Sequence, residues 1–294
     1  MANLKDISRQ IKSVKNTQKT TKAMKLVSSA KLRRTQQLSE QAKSYALKIN
    51  EILSEIAYRI STQHEDHSMG RVFSVNDNPK IVDIVIVTAD KGLCGGFNMT
   101  TIKEVRNLIK TYNGKGSQVR LKIAGRKAID YFNFQGVEIH SSKVGLSAAP
   151  SYETAAEFIH ETFEDFNNGL TDKVIIVYNG FLNMLTQELR VKELLPISLD
   201  NVDTSTKSSV LEIEPDDDEE ILDELTSKYV DFNMYYSLID SLAAEHSARM
   251  QAMDNATNNA TERVNDLTVE FNKARQAAIT TELIEIISGV ESLK

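Results

Sequence analysis

The fold is decided by residues 216–288, DDDEEILDELTSKYVDFNMYYSLIDSLAAEHSARMQAMDNATNNATERVNDLTVEFNKARQAAITTELIEIIS, which contain neither glycine nor proline. Alternating steps of four and three separate Leu225, Tyr229, Phe232, Tyr236, Ile239, Ala243, His246, Met250, Met253, Thr257, Ala260, Val264, Leu267, Phe271, Ala274 and Ala278. A mostly apolar heptad sustained over about seven repeats predicts a coiled-coil helix. Pro215 and the acidic run 216–220 mark its start, because they supply a rigid entry and negative charge at the positive end of the helix dipole.

Residues 1–69 also lack both breakers and predict a second long helix. Its apolar residues form two groups, Leu4, Ile7, Ile11 and Val14 at the start and Leu38, Ala42, Tyr45, Ile49, Ile52, Ile56 and Ile60 at the end. Between these groups, the large apolar residues are few: Met24, Leu26, Val27 and Leu32. At a rise of about 1.5 Å per residue, this helix would be roughly 85–90 Å long and the carboxy-terminal one on the order of 100 Å.

The order of the segments predicts that the two helices pair antiparallel, since the first leads into the central region and the second leads out of it. The second helix is longer by roughly a dozen residues, so its end should project past the first. That end is apolar on several sides, at Ile279, Leu283, Ile284, Ile286, Ile287 and Val290. An exposed apolar tip of this size predicts a sleeve supplied by another protein. Counted back from the tip, Met24 should lie near the level of Arg275 and Gln276.

The central residues alternate strand-like and helix-like segments, which predicts a mainly parallel, Rossmann-like sheet. The run IVDIVIVT at 81–88 is typical of a strand buried on both faces. Further strands are expected at 119–125, 137–142, 173–180 and 189–197, and helices at 100–113, 126–136 and 151–169. The fold class is α/β plus all-α: an amino-terminal coiled-coil helix (1–69), an inserted α/β domain (78–200), a connecting loop (201–215) and a carboxy-terminal coiled-coil helix (216–294).

Charge is distributed unevenly along the chain, although the net charge is only −6. Residues 1–34 hold ten Lys and Arg against one acid, and residues 211–294 hold nineteen acids against six bases. The pattern fits either two helices that attract each other or a basic segment that meets an acidic partner, and charge alone does not choose. Nucleic acid is disfavoured, because residues 5–34 have no interleaved aromatics and the isoelectric point is about 5.5.

No segment has the length and apolarity of a membrane span, so any membrane link should be peripheral. The polar amino terminus has no apolar core of a secretory signal, and its apolar spacing continues into the long helix, so we interpret it as mature protein. The single cysteine, Cys94, excludes an internal disulfide.

No segment predicts a catalytic, cofactor or metal site. The loop Gly92-Leu93-Cys94-Gly95-Gly96 follows the first strand but has neither glycine pattern of a phosphate loop, so a tight turn packed on a neighbour is favoured. Cys94 is expected to be a buried or interface thiol. His64 and His67 lack further ligands at metal-binding spacing. His246 lies on the coiled-coil seam, where one polar residue can set the register.

Four segments resemble the gamma-subunit family of rotary F-type ATP synthases, and the likeness covers nearly the whole chain. They are KDISRQIKSVKNTQKTTKAMKLVSSAKLRR (5–34), TADKGLCGGFN (88–98), EHSARMQAMDNATNNA (245–260) and FNKARQAAITTELIEIISG (271–289). The resemblance implies a non-catalytic central shaft that is turned by a proton-driven c-ring and whose asymmetric contacts change the nucleotide affinity of each catalytic site in turn.

The resemblance also implies partners and contact residues. Three catalytic beta and three non-catalytic alpha subunits would surround the coiled coil, and the epsilon subunit and the membrane c-ring would bind at the α/β domain. The expected contacts with the ring of subunits are Met24, Lys25, Arg275, Gln276, Thr280, Ile284 and Ile287. The expected subunit-interface loop is Asp90, Lys91, Gly92, Leu93, Cys94, Gly95 and Gly96.

The regulatory insert of the chloroplast form is absent, so the resemblance implies a bacterial subunit at the cytoplasmic face of the plasma membrane. Two other classes of protein stay open from the residues alone. One is a nucleotide-binding α/β enzyme with a coiled-coil dimerisation arm, and the other is a coiled-coil scaffold or chaperone.

Overall fold

The computed structural model describes residues 4–63, 71–74, 76–197 and 218–291. The chain order is α1 (Leu4–Gln63), a 3-10 turn (Arg71–Phe73), β1 (Ile81–Val87), α2 (Phe97–Gly114), β2 (Gln118–Ala124), α3 (Arg126–Phe134), β3 (Ser141–Lys143), α4 (Tyr152–Asn167), β4 (Lys173–Phe181), β5 (Gln187–Leu195) and α5 (Asp218–Glu291). Two compact units divide the chain, one of Met1–Ser29 with Arg249–Lys294 and the other of Ala30–Ala248. The predicted connecting loop, 201–215, lies outside the described residues.

The larger unit holds a five-stranded sheet in the order β3-β2-β1-β4-β5. Strands β1 to β4 are parallel, and β5 is antiparallel to β4. The prediction of a mainly parallel α/β sheet is therefore confirmed. Strand β3 is shorter than the expected 137–142, because the Val137 amide donates to the Phe132 carbonyl at the end of α3 instead of joining the ladder.

Each face of the sheet is covered by a different set of helices. On one face, Ile84 and Ile86 pack with Ile102 and Val105 of α2 and with Phe132 of α3. On the other face, the core includes α4 together with parts of both long helices, namely Ile49, Leu53, Tyr229, Val230, Met234 and Leu238. The long helices are therefore structural members of the α/β core and not appendages to it.

A buried charge cluster lies between the sheet and α4. The Arg120 guanidinium donates to both oxygens of Asp83, at 2.6 and 2.7 Å, and to Asp165 of α4 at 2.8 Å. Lys122, which is fully buried, approaches Glu161 of α4 at 3.5 Å. Pairing and hydrogen bonding offset the cost of burying these charges, and the geometry fixes where α4 sits along the sheet.

In the smaller unit, α1 and α5 pair antiparallel through a seam that mixes apolar residues with hydrogen-bonded polar ones. Gln18 donates to Thr261 at 2.7 Å, Thr21 and Thr257 share a hydrogen bond of 2.7 Å, and Lys25 donates to Asp254 at 2.7 Å. On α5, the buried positions Met253, Ala260 and Leu267 follow the predicted heptad. An antiparallel helix pair was expected and is confirmed, but the composition of its seam was not.

The apolar residues of α1 are therefore not all seam residues. Met24, Leu26 and Val27 are exposed at 38–63% of their surface, whereas the small polar Thr21 and Ser28 are buried. The same holds in the larger unit, where Leu38 and Tyr45 are exposed and the buried positions are Leu32, Thr35, Ser39, Ala42, Ala46, Ile49 and Leu53. Strict steps of three and four, not apolarity, mark the seam of α1.

The register of this pair corrects the expected level of Met24. Between Gln18 and Lys25 the chain advances by seven residues, while the partners Thr261 and Asp254 fall back by seven. On this register Met24 lies opposite Asn255, and Arg275 lies opposite Leu4. The two sites are thus separated by about 20 residues, or about 30 Å along the helix axis.

Replacement of Gly125 should disturb the sheet more than replacement of any other glycine described by the structure. It has a φ of 113°, and a Cβ added there would lie 2.0 Å from the Thr88 carbonyl oxygen. We expect Gly125→Ala to lower the free energy of unfolding by more than about 3 kcal/mol, because the backbone must move. Near-UV circular dichroism of the tyrosines of the full chain during chemical unfolding measures this change.

Gly136→Ala is the matched control, because Gly136 also has a positive φ, 67°, but nothing lies within 4 Å of an added Cβ. Its cost should be only about 1 kcal/mol, from the left-handed backbone alone. Equal effects of the two substitutions would contradict the close contact at Gly125.

Candidate interaction surfaces

The carboxy-terminal end of α5 is uncovered. Every residue from 275 to 290 is exposed, and the six large apolar side chains keep 50–61% of their surface accessible. At about 100° per residue, Ile279, Leu283, Ile284, Ile286, Ile287 and Val290 cover an arc of about 160°. This arc is wider than the apolar stripe of a helix that packs on one neighbour, so the expectation of an exposed apolar tip is confirmed.

Polar groups on this tip are satisfied by the helix itself. The Thr280 hydroxyl donates to the Gln276 carbonyl at 2.9 Å, and the Thr281 hydroxyl donates to the Ala277 carbonyl at 3.0 Å. The exposed Arg275 and Gln276 lie at the base of the tip, where α1 begins. The tip therefore offers an apolar arc, with the exposed carboxylates of Glu282 and Glu285 outside it and the cation of Arg275 at its base.

The structure places the seven expected contact residues in two groups. Arg275, Gln276, Thr280, Ile284 and Ile287 lie together on the uncovered end of α5. Met24 and Lys25 lie about 30 Å away along the pair. The Lys25 ammonium is half-buried and already pairs with Asp254 of α5 across the seam.

The glycine loop, residues 90–96, is held at its start by Asp90. One carboxylate oxygen accepts from the Arg126 amide at 2.8 Å, at the start of α3, and the other accepts from the Gly145 amide at 3.0 Å. Charge-assisted hydrogen bonds of this kind are stronger than neutral ones. Asp90 thus fixes the glycine loop to two neighbouring segments at the carboxyl edge of the sheet.

The middle of the loop packs inward on α5. Cys94 is 2% exposed and contacts a small cluster with Ala89, Phe97, Ala244 and Ala248, so the expectation of a buried thiol is confirmed. The Ala89 amide donates to the Asn98 side chain at 2.9 Å, and the Phe97 amide donates to the Cys94 carbonyl at 3.3 Å. These amides are engaged by the chain, as a tight turn packed on a neighbour requires.

The outer side of the loop presents Leu93, which is 62% exposed and has a φ of 63°. A leucine in the left-handed region costs about 1–2 kcal/mol, and its apolar side chain gains nothing from water. Leu93 therefore combines backbone strain with apolar exposure.

A second exposed apolar group was missed by the sequence analysis. The turn between β4 and β5 exposes Leu182, Met184 and Leu185, and Phe181 beside it packs on the cluster that holds Cys94. Residues 181–199 were interpreted only as a strand region. The signal that could have found this group is the run of large apolar residues in a turn, where polar residues are usual.

Three further findings concern expected absences and positions. Among the described residues, no group of three or more His, Cys, Asp or Glu side chains is arranged to hold a metal ion. No helix within the described ranges has a stretch long and apolar enough to cross a bilayer. His64 and His67 lie outside the part of the chain that the structure describes, and His246 is buried in α5.

Comparison with known proteins assigns this arrangement to a family. A model of the ATP synthase family matches residues 3–293. The chain is 69% identical over 295 residues to the ATP synthase gamma chain of Aliarcobacter butzleri and 57% identical over 295 residues to that of Campylobacter curvus, with 100% of each chain covered.

Solved structures share the fold at lower identity. A chain of the Euglena gracilis mitochondrial ATP synthase matches with a TM-score of 0.67 at 20% identity, covering 99% of this chain and 94% of its own. A chain of the Tetrahymena thermophila central stalk and c-ring matches with a TM-score of 0.61 at 24% identity, covering 81% of this chain and 99% of its own.

Two long antiparallel helices joined to a Rossmann-like domain define the class of central-stalk subunits of rotary ATP synthases. This chain belongs to the ATP synthase gamma-chain family, and it is a structural subunit of that complex and not a catalytic one.

Loss of the Asp90 carboxylate should loosen the glycine loop. We expect Asp90→Ala to lower the free energy of unfolding by about 1–3 kcal/mol, because two amides lose a charged acceptor. Asp130→Ala, on the exposed surface of α3, is the control and should stay within about 0.5 kcal/mol of the parent chain. Chemical unfolding of both variants measures the difference, and equal midpoints would show that Asp90 does not hold the loop.

Proposed function

We propose that this chain is the shaft through which rotation of a membrane c-ring, driven by protons, is coupled to ATP synthesis or hydrolysis in a ring of three alpha and three beta subunits. The observation that supports it most is the uncovered apolar end of α5, since an exposed apolar arc of about 160° is typical of a surface that a partner covers. A ring of subunits can cover such an arc. The family of the chain makes this ring the expected occupant.

The shaft acts through unequal contacts and performs no chemistry itself. A contact that is equally strong in every rotary position shifts no equilibrium, however strong it is. Arg275 at the base of the tip is an exposed cation and can form charge-assisted hydrogen bonds to carboxylates of some ring subunits and not others. The asymmetry of the helix pair then sets a different nucleotide affinity at each catalytic site.

The remaining expected partners, the epsilon subunit and the c-ring, are assigned to the α/β domain and the ends of the long helices that pack within it. The glycine loop is assigned to a subunit interface, supported by the strained, exposed Leu93. Aliarcobacter butzleri and Campylobacter curvus are bacteria, which supports the further proposal that the complex lies on the plasma membrane with this chain on its cytoplasmic face.

The level of Met24 and the level of Arg275 and Gln276 along the helix pair should affect coupling independently. We expect Arg275→Ala or Gln276→Ala to leave assembly intact but to lower ATP synthesis and turnover, with a loss of about 1.5–3 kcal/mol for the charged contact of Arg275. Met24→Lys adds a cation at the other level and should impair proton pumping relative to ATP hydrolysis. ATPase rate and proton pumping are measured on the same reconstituted vesicles.

The separation of about 30 Å makes the double variant informative. Effects at sites more than about 10 Å apart without shared partners usually add as free energies, so Met24→Lys with Arg275→Ala should show the sum of the two single effects. Parent values for both activities in all variants would show that these residues are solvated bystanders.

The exposed leucine of the glycine loop should matter for assembly and not for folding. We expect Leu93→Ala to change the free energy of unfolding by less than about 1 kcal/mol, because the side chain is exposed. It should nevertheless reduce the yield of assembled complex or its ATP-driven pumping. The matched control is Leu170→Ala, an equally exposed leucine (54%) at the opposite edge of the sheet. If both variants assemble and pump alike, the loop is not a subunit interface.

A further inference from the structure

Three polar contacts join α5 to the edge strand β5 at regular intervals. The residues on α5 are seven apart, and their partners descend along β5 as α5 ascends. The pairs are Asn233 with Lys192 at 2.6 Å, Asp240 with Arg190 at 2.7 Å, and Ser247 with Gln187 at 3.2 Å. We call this set the α5–β5 ladder.

The central rung also includes the first helix. Asp240 is 2% exposed, and its second carboxylate oxygen lies 3.2 Å from the donating Ser39 hydroxyl of α1 and 3.3 Å from the Phe181 amide of β4. One carboxylate therefore binds both long helices and the sheet. The fit leaves no spare room, because a Cβ added at Gly180 would lie 2.5 Å from both Arg190 and Asp240.

The charges of the central rung depend on each other. Burial alone lowers the pKa of Arg190, but Asp240 and the hydroxyls of Tyr178 and Tyr236 outweigh it and raise the pKa overall. Arg190 also donates to the Tyr236 hydroxyl at 3.3 Å. Removing one member of such a buried pair leaves the other charge without compensation.

Apolar packing and the ladder resist different motions. The core residues of α5 resist separation of the helix from the sheet, but hydrophobic contact is not directional and tolerates small turns of the helix. A shift of one residue along α5 turns its side chains by about 100° and removes all three rungs at once. The three hydrogen bonds of the ladder weaken steeply as their donor–acceptor angle departs from linearity. They therefore fix the rotation of α5 about its own axis relative to the α/β domain.

We propose that the α5–β5 ladder is the joint through which torque passes between the α/β domain and α5, with Asp240 and Arg190 as its positioning residues. This proposal rests on the proposed shaft function. When the rotor turns without an opposing proton gradient, little torque passes through the joint. When it turns against a gradient, the joint must keep α5 from rotating relative to the α/β domain. The ladder should therefore matter in proportion to the opposing proton gradient.

The test uses the whole complex reconstituted in vesicles with the substitution Asp240→Asn, which keeps the shape of the side chain and removes its charge. Protons pumped per ATP hydrolysed are measured from zero gradient to the highest gradient that the parent complex sustains. We expect parent-like coupling at zero gradient and at least a twofold loss at the highest gradient.

Gly136→Ala is the control, because it weakens the same domain at a position far from the ladder in sequence and without a neighbour within 4 Å of the added Cβ. It should lower thermal stability without changing the dependence of coupling on load. If Asp240→Asn shows no load dependence, or the same as Gly136→Ala, the proposal is wrong and Asp240 has only a structural role.

Lys192→Met provides a second test if Asp240→Asn does not assemble. It removes an outer rung whose ammonium is half-buried, with its pKa lowered to about 8 by burial, and it should produce a smaller loss of the same kind. A load-independent result for Lys192→Met would also overturn the ladder proposal. Failure of the shaft function itself looks different, because complexes lacking this chain would then pump like the parent.

Discussion

The structure of the larger unit depends on the complete burial of one stretch of helix. Every residue from 237 to 248 of α5 is buried, although the stretch SLIDSLAAEHSA holds few large apolar side chains. Small residues such as Ala243, Ala244 and Ala248 let neighbouring backbones approach closely, and the glycine loop packs there through Cys94 and Phe97. Such a helix cannot be placed by a single apolar stripe, so polar contacts must define its orientation.

This requirement explains why polar groups are concentrated where the chain is most buried. Asp240, Asn233 and Ser247 each bond to the edge strand, and the first also bonds to α1. The seam of the smaller unit follows the same logic with less burial, through Thr21 with Thr257 and Lys25 with Asp254. Polar residues in a helix seam lower stability but specify one register, since a slip by one turn separates every pair.

The sequence predicted the parts of the fold that rest on local periodicity and missed those that rest on long-range pairing. The heptad of α5 and the buried strand β1 were placed correctly, because a period of 3.5 or an unbroken β-branched run is visible within one segment. The middle of the α1 seam was missed, because Thr21, Ser28 and Thr35 are buried only by virtue of what lies opposite them on α5. The level of Met24 was wrong for the same reason, since register is a property of the pair.

Surfaces were predictable to a different degree. The apolar end of α5 was foreseen, because a helix that outlasts its partner must expose whatever it carries there. The exposure of Leu93 could not be read from composition, since only the folded backbone shows a leucine with positive φ and an accessible side chain. The turn at Leu182–Leu185 was missed although its run of large apolar residues was a usable signal.

The features that lower the stability of the isolated chain lie on surfaces that a partner could cover. A left-handed leucine costs about 1–2 kcal/mol, and each of the six apolar side chains on the tip, which are 50–61% exposed, forgoes about half of the roughly 1.5–3 kcal/mol that full burial contributes. Summed over the tip alone, the forgone burial is comparable to the whole stability of an ordinary domain. A chain selected to be stable alone would not keep these features, whereas one selected for assembly would, because covering them contributes to binding. The buried ladder, by contrast, is complete within the chain, as expected for a joint that must hold in every rotary position.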